Sequence, residues 1–329
     1  AAVGTVAWLF RTYRTSLAYQ NKVSPRSRPD YERVMLEIEG CPTTDGRTVG
    51  QLRVDTITPK AADKIYRKIV DRPRERIDEG LEGVGRLRQG EKAVAIAKSA
   101  WKIVHRLHPE FFAGGEDWNP WCGVALARRV KKIKPMVTRE EAYRFARGAV
   151  ALGRPEAAVA ALVCFEWLQR PENVLAGYTQ WTNYRPAAHP LQVRIEHHKT
   201  GAVVWHWLED PETGERWYDE MEAILAQAPR RGVSMVLKGR ADGSSEPWTP
   251  NLFGNLVRTL RGKIEGVPPH FSLDACRHGG MTELEEAGLT EGQGMSLSGH
   301  RSRQAYRGYA KATEKRALEA TRKRFGGET

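Results

Sequence analysis

The chain has 329 residues, enough for two domains and more than a single small domain needs. Its 52 lysines and arginines outnumber 40 acids, giving a formal charge of +12 and a pI near 9.6, which favours a polyanionic partner, most simply nucleic acid. No apolar run approaches the roughly 20 residues of a membrane span, the first residues lack a signal-peptide pattern, and Cys41, Cys122, Cys164 and Cys276 form no Cys-x-x-Cys pair, so a cytoplasmic protein with reduced thiols is expected.

In chain order, Thr5 can cap a first helix whose apolar stripe is Val6, Leu9, Phe10, Tyr13 and Leu17. Ser24 and Pro25 open a second through Tyr31, Val34 and Met35, and Thr58 and Pro59 open a third with Ile65, Tyr66 and Ile69. A fourth carries Ala93, Ile96, Trp101 and Val104. Four helices with basic outer faces predict a small helical DNA-binding domain over residues 1–113. Residues 114–136 are rich in Gly and Pro and then basic, and read as an interdomain linker whose Arg128, Arg129, Lys131, Lys132 and Lys134 can meet a phosphate backbone.

The second domain, 137–329, opens with the capping box of Thr138 and Glu141. An apolar helix over 157–167 runs into Gln169 and Arg170, with Pro171 placed to start the next turn. Val193 and Ile195 alternate with polar neighbours, Thr200 and Gly201 suit a turn, and Val203 to Trp205 resume strand character, so Lys199 falls at the tip of a β-hairpin. A helix over 211–228 is expected to bury Trp217, Tyr218, Met221, Ile224 and Leu225, followed by a short strand at 233–237 and a helix opened by Thr249 and Pro250. The stretch HFSLDACRHGGMTELEEAGLTEGQGMSLSGHRSRQAYRGYA, residues 270–310, reads as two helices. Arg277 lies in the apolar pattern of the first, His300 closes the second, and Tyr309 follows nine residues later among Arg301, Arg303 and Arg307. A polar tail helix is expected over 313–324.

An arginine, a histidine and a tyrosine in a basic setting suit a phosphodiester. Displacing a sugar oxygen from phosphorus needs an in-line nucleophile, positive groups on the non-bridging oxygens and a proton for the leaving oxygen. Arginine is the best bidentate phosphate clamp and tyrosine can be the nucleophile.

The order RHGG, LSGH and then Tyr309 resembles the C-terminal signature of the tyrosine recombinases, the phage integrase family. The WLQRPENVLAGYTQW stretch resembles that family's first arginine region. The resemblance spans nearly the whole chain, including a weak likeness of Ser24-Pro25-Arg26-x-Arg28-x-x-Tyr31 to the start of the family's core-binding domain. It implies a mainly α fold with a small three-stranded sheet, the DNA breaking-rejoining enzyme fold. It further implies Tyr309 as nucleophile, Arg170, Arg277 and His300 on the phosphate, and Lys199 as the general acid. The partners implied are double-stranded DNA and three further copies of the chain in a tetramer, with room for accessory DNA-bending proteins. The tail helix would dock on a neighbouring subunit.

Two positions depart from the family pattern. Asn173 stands where an acid is usual, and Asp274 stands where the His of His-x-x-Arg is usual. Asp274 is expected to act as a base, or to orient Arg277 or Lys199, and to alter the rate or pH profile. His278 reads as structural, and Tyr306 is the alternative nucleophile. No P-loop and no metal-binding carboxylate cluster is present in the sequence, so neither ATP nor a metal cofactor is expected. Two other readings keep the same residues: a type IB topoisomerase-like swivel, and a DNA-binding regulator that has lost catalysis.

Overall fold

The computed structural model describes residues 1–72, 86–115, 117–128, 134–300 and 302–307. The chain divides into two units, Ala1–Lys132 and Ile133–Thr329. In the first, helices α1 (Val6–Thr15), α2 (Leu17–Lys22), α3 (Arg28–Glu39), α4 (Pro59–Val70) and α5 (Leu87–Leu107) share one core. Leu9, Phe10, Ile38, Ile65, Ile69, Trp101 and Val104 are fully or almost fully buried there, each contributing roughly 1.5–3 kcal/mol by leaving water.

The first expected helix is two. Ser16 ends α1 and caps α2, accepting the Tyr19 backbone N–H at 3.2 Å, so Leu17 leaves the apolar stripe and is 80% exposed. A serine hydroxyl that satisfies a backbone N–H offers the chain an alternative to continuing the helix. Residues 117–128, read above as linker, pack on this unit: Trp121 is buried, Trp118 lies against Trp101, and the Ala127 N–H donates to the Tyr66 hydroxyl at 2.8 Å.

In the second unit the organising element is α7 (Pro155–Phe165), apolar from Ala157 to Phe165 and buried on every side there, with Glu156 in its first turn paired to Arg154. It packs against α6 (Arg139–Ala151), which carries the expected Thr138–Glu141 capping box, and against α8 (Pro171–Leu175). The strands β1 (Gln192–His197) and β2 (Ala202–Trp207) form an antiparallel hairpin with Val193, Ile195 and His197 on the buried face. After α9 (Asp219–Gln227) come the short pair β3 (Lys238–Gly239) and β4 (Ser245–Glu246), then α10 (Pro250–Arg261), α11 (Leu273–Glu286), α12 (Glu291–Ser298) and α13 (Arg303–Arg307).

The mainly α fold with a small sheet is as expected, but three local readings change. The hairpin sheet has two strands among the described residues, and its only further pairing is a single bridge from Tyr184 to Val193. Residues 211–218 are not helical: Asp210 accepts the Glu212 and Thr213 N–H groups and Gly214 turns left-handed, so Trp217 is about half exposed. Such an Asx turn competes with helix start, which is why α9 begins only at Asp219. Residues 233–237 reach β-structure only through the bridge of Ser234 to Gln180.

The close packing of α11 on α7 depends on Gly279 and Gly280. A Cβ on Gly279 would overlap the Val137 carbonyl oxygen, and one on Gly280 would overlap that of Phe165. Backbone cannot yield as a side chain tip can, so Gly280→Ala should cost roughly 3 kcal/mol or more. Urea unfolding should show this as a large fall in midpoint, and a midpoint within 0.5 kcal/mol-equivalent (roughly the surface-substitution range) would remove the contact from the account.

Candidate active site

Arg170 stands at the start of α8, where its extended backbone lets its carbonyl accept from Asn173 N–H at 2.8 Å. The chain reaches it through Leu168, a left-handed non-glycine residue with φ 55° whose side chain is buried with Met281 and Tyr306. Such a conformation costs on the order of 1–2 kcal/mol and redirects the chain sharply after α7.

Arg277 lies in α11 and is 1% exposed. Its Nη2 is 3.4 Å from His300 Nε2, and His300 Nδ1 is 2.8 Å from Ser298 Oγ. With the guanidinium donating, Nε2 accepts, and Nδ1–H donates to the serine. Gly299, the left-handed cap of α12 at φ 65°, turns the chain so that His300 enters the site. Burial first, then Arg277 and Arg170, hold the His300 imidazolium down to about pKa 4.

Lys199 is exposed at the hairpin tip between β1 and β2. The hairpin is tied to α8 by Asn173. Its Nδ2 donates to Gln169 Oε1 at 3.0 Å and to the Glu196 carbonyl at 2.9 Å, while its Oδ1 accepts the His198 N–H at 3.1 Å and lies 2.9 Å from His198 Nδ1. Asn173, singled out only as a departure, thus bridges the first arginine's helix and the hairpin that carries Lys199.

His197, not picked out in the sequence, sits in the same place. It is 1% exposed at the end of β1, and burial, followed by Arg277, Arg170, His206 and His300, holds its pKa down to about 3. The signal was available: a period of two from Val193 and Ile195 puts residue 197 on the apolar face.

Asp274 lies in the first turn of α11, half exposed, with Lys134 Nζ at 3.2 Å and His278 Nε2 at 3.6 Å from Oδ2. The His278 contact, opposed by burial and aided by Lys134, lowers its pKa to about 2. Its carboxylate is therefore ionised and engaged with two bases, and His278 is buried behind it. Of the basic stretch, Arg128 is exposed and Lys134 is paired with Asp274, whereas Arg129, Lys131 and Lys132 lie outside the described residues. So do Arg301, Tyr309 and the tail helix expected over 313–324. Tyr306 is buried, its hydroxyl end beside Gly294 and its ring edge-on to His300 at 6.0 Å.

No group of three His, Cys, Asp or Glu side chains that could hold a metal ion occurs among the described residues, and no described helix is long and apolar enough to cross a membrane. The arrangement offers two guanidinium groups and two neutral imidazoles at one place, a set suited to an oxyanion.

No protein-family profile matches the chain, and no curated protein matches it in sequence. Solved structures do. A lambda integrase dimer bound to a COC′ core site aligns over 93% of this chain and 94% of its own, with 15% identity and a TM-score of 0.64. The Tn1549 transposon integrase in complex with transposon right end DNA aligns over 98% and 99%, with 15% identity and a TM-score of 0.62. A lambda integrase tetramer bound to a Holliday junction aligns over 93% and 77%, with 14% identity and a TM-score of 0.64. The chain has the tyrosine recombinase fold of these integrases.

The neutral imidazoles make stability pH-dependent. His197 and His300, with His206 held down to about 4 by burial, have folded values below their ordinary one near 6.5. Stability present above pH ~6.5 is thus lost as pH falls towards 4 and 3, by up to about 1.4 kcal/mol per pH unit for each histidine. Urea midpoints between pH 7 and 5 should fall, and less steeply for His300→Gln. Equal slopes for the two proteins would contradict the assignment.

Proposed function

We propose that this chain is a tyrosine site-specific recombinase that cuts and rejoins duplex DNA through a 3′-phosphotyrosyl intermediate. The observation that carries the reading is the convergence of Arg170, Arg277 and His300 in one unit. The three approach from separate elements, on a fold shared with DNA-bound integrases.

In this reading Arg170 and Arg277 bind the non-bridging oxygens of the scissile phosphate, and as Arg277 turns from His300 Nε2 to the anion that nitrogen takes up a proton and donates to the phosphate as well. The Tyr309 hydroxyl gives up its proton to solvent as its oxygen attacks phosphorus, the bond from phosphorus to the 5′ oxygen breaks, and Lys199 gives that oxygen a proton. Attack by the 5′ hydroxyl of a partner strand reverses the step and frees the tyrosine. Because the phosphotyrosyl bond keeps the energy of the broken one, neither ATP nor a metal ion is required. Four copies of the chain would act on two DNA segments through a four-way junction, in the cytoplasm or nucleoid. Arg128, Arg129, Lys131, Lys132 and Lys134 would follow the phosphate backbone, with Lys134 exchanging Asp274 for it. The charge of +12 supports such a partner.

Asp274 is not the base in this scheme. Paired with Lys134 and His278, it positions the start of the helix that carries Arg277.

A library of labelled nicked duplexes with randomised centres tests the proposal. The protein should form a detergent-resistant DNA adduct in the presence of a chelator, and Tyr309→Phe should form none. Arg277→Ala should slow adduct formation by about 10²–10³-fold, the usual effect of removing one donor to a developing oxyanion. Adducts that persist in Tyr309→Phe would move the nucleophile elsewhere. Duplex binding with no adduct from any library member would leave a DNA-binding regulator, and plasmid relaxation without recombination would leave a topoisomerase-like swivel.

A further inference from the structure

The scheme above gives His197 no task, yet its position is unusual. Both ring nitrogens are buried and have no hydrogen-bond partner among the described residues. Leaving a buried donor unmet costs roughly 1–3 kcal/mol, so the ring is held there by its surroundings rather than by its own bonds. Those surroundings are the active-site elements. The ring lies so close to Gly299 that a Cβ on that residue would be 2.6 Å from His197 Nε2. The residue that turns His300 into the site is therefore also the one that makes room for His197.

The charged and titratable groups that act on this imidazole come from four separate places in the chain and are all basic. Arg277 approaches from α11, Arg170 from the turn before α8, His206 from β2 and His300 from the end of α12. A neutral imidazole carries one N–H, and either nitrogen can hold it. Under the positive potential of two guanidinium groups, the natural acceptor for that N–H is an oxygen of an anion.

We propose that His197 is a further catalytic residue, donating a hydrogen bond to a non-bridging oxygen of the same phosphate that Arg277 and His300 hold. The proposal rests on reading this unit as a phosphodiester site. It also accounts for the place of Asp274. An ionised carboxylate cannot donate to a phosphate, and here it is engaged with His278 and Lys134. The imidazole that the family pattern puts three residues before Arg277 is supplied instead from β1, two residues before Lys199.

One consequence concerns protons. In the free protein Arg277 and Arg170 oppose a charge on His197, and an anion among them relieves that opposition. Binding should draw a proton towards the imidazole, so anion affinity should rise as pH falls below neutral.

Histidine-labelled full-length protein titrated with inorganic phosphate provides the test, with ring signals assigned through His197→Gln and His300→Gln. Phosphate should raise the titration midpoints of both His197 and His300 by more than one pH unit and leave the signal of His105, in the other unit, in place. If His300 moves and His197 does not, the proposal fails while the phosphate-site reading stands. If neither moves, both fail. The second measurement is phosphate affinity, read at His300, in His197→Phe and His197→Gln. Loss of one hydrogen bond to a charged group predicts about 10-fold weaker binding for His197→Phe, with part of the loss recovered in His197→Gln. Equal affinity in all three proteins would mean that the ring only fills space.

Discussion

The site depends on one contact, the approach of α11 to the backbone at Val137 and Phe165. Where Gly279 and Gly280 touch those carbonyls, no side chain separates helix from helix, and Arg277 is carried two residues ahead of the contact. The same segment that receives α11 turns at Leu168 and presents Arg170 five residues after Phe165. Both arginines are therefore referenced to the backbone at Phe165, which Gly280 touches and from which the chain runs on to Arg170. Oxyanion chemistry tolerates displacements of only about 0.5 Å, so a contact that cannot slide is worth its strain. The left-handed Leu168 is offset by burying its side chain against Met281 and Tyr306, which makes α13 part of the same clamp.

Bringing two guanidinium groups to one place has an electrostatic consequence that shapes everything near them. Imidazoles at His197 and His300 are kept neutral, since their protonation would add like charge in a poorly solvated space. Carboxylates of the same unit are engaged elsewhere. Glu166, only four residues before Arg170, is paired with Arg139 and accepts from the Tyr143 hydroxyl. Glu222 is bound by Arg185, Arg216 and Tyr184, and although burial opposes it those contacts lower its pKa to about 2. Removing such acids into their own ion pairs leaves the positive potential of the site uncompensated, which is the condition for holding a phosphate.

Much of this was legible because it is local chemistry. Thr58 with Pro59, Thr138 with Glu141 and Thr249 with Pro250 start helices wherever they occur in this pattern, and all three do so here. Arg170, Lys199, Arg277 and His300 are singled out in the sequence by their order, and the fold brings Arg277 and His300 together. What was missed has a common cause: a side chain closing a bond with nearby backbone, which periodicity does not register. Ser16 splits the first helix in this way and Asp210 delays α9. His197 escaped for a different reason. One histidine in an alternating strand looks ordinary, and its setting is made by α11 and α12, which are 75 or more residues away in sequence and adjacent only after folding.

Asn173 shows how a departure from a family pattern can be chemically required. Its amide faces the Glu196 carbonyl and Gln169 Oε1 with its nitrogen, and the His198 N–H with its oxygen. A carboxylate could serve the last of these but would set acceptor against acceptor at the first two. Each such buried mismatch costs on the order of 1–3 kcal/mol. The hairpin that ends at Lys199 would then lose the tie that fixes it to α8. An amide also keeps a negative charge away from Arg170, in the same sense as the pairing that occupies Asp274. Of the two departures, therefore, Asn173 brings no carboxylate to the positive charge of Arg170 and Arg277, and Asp274 has its own engaged by Lys134 and His278.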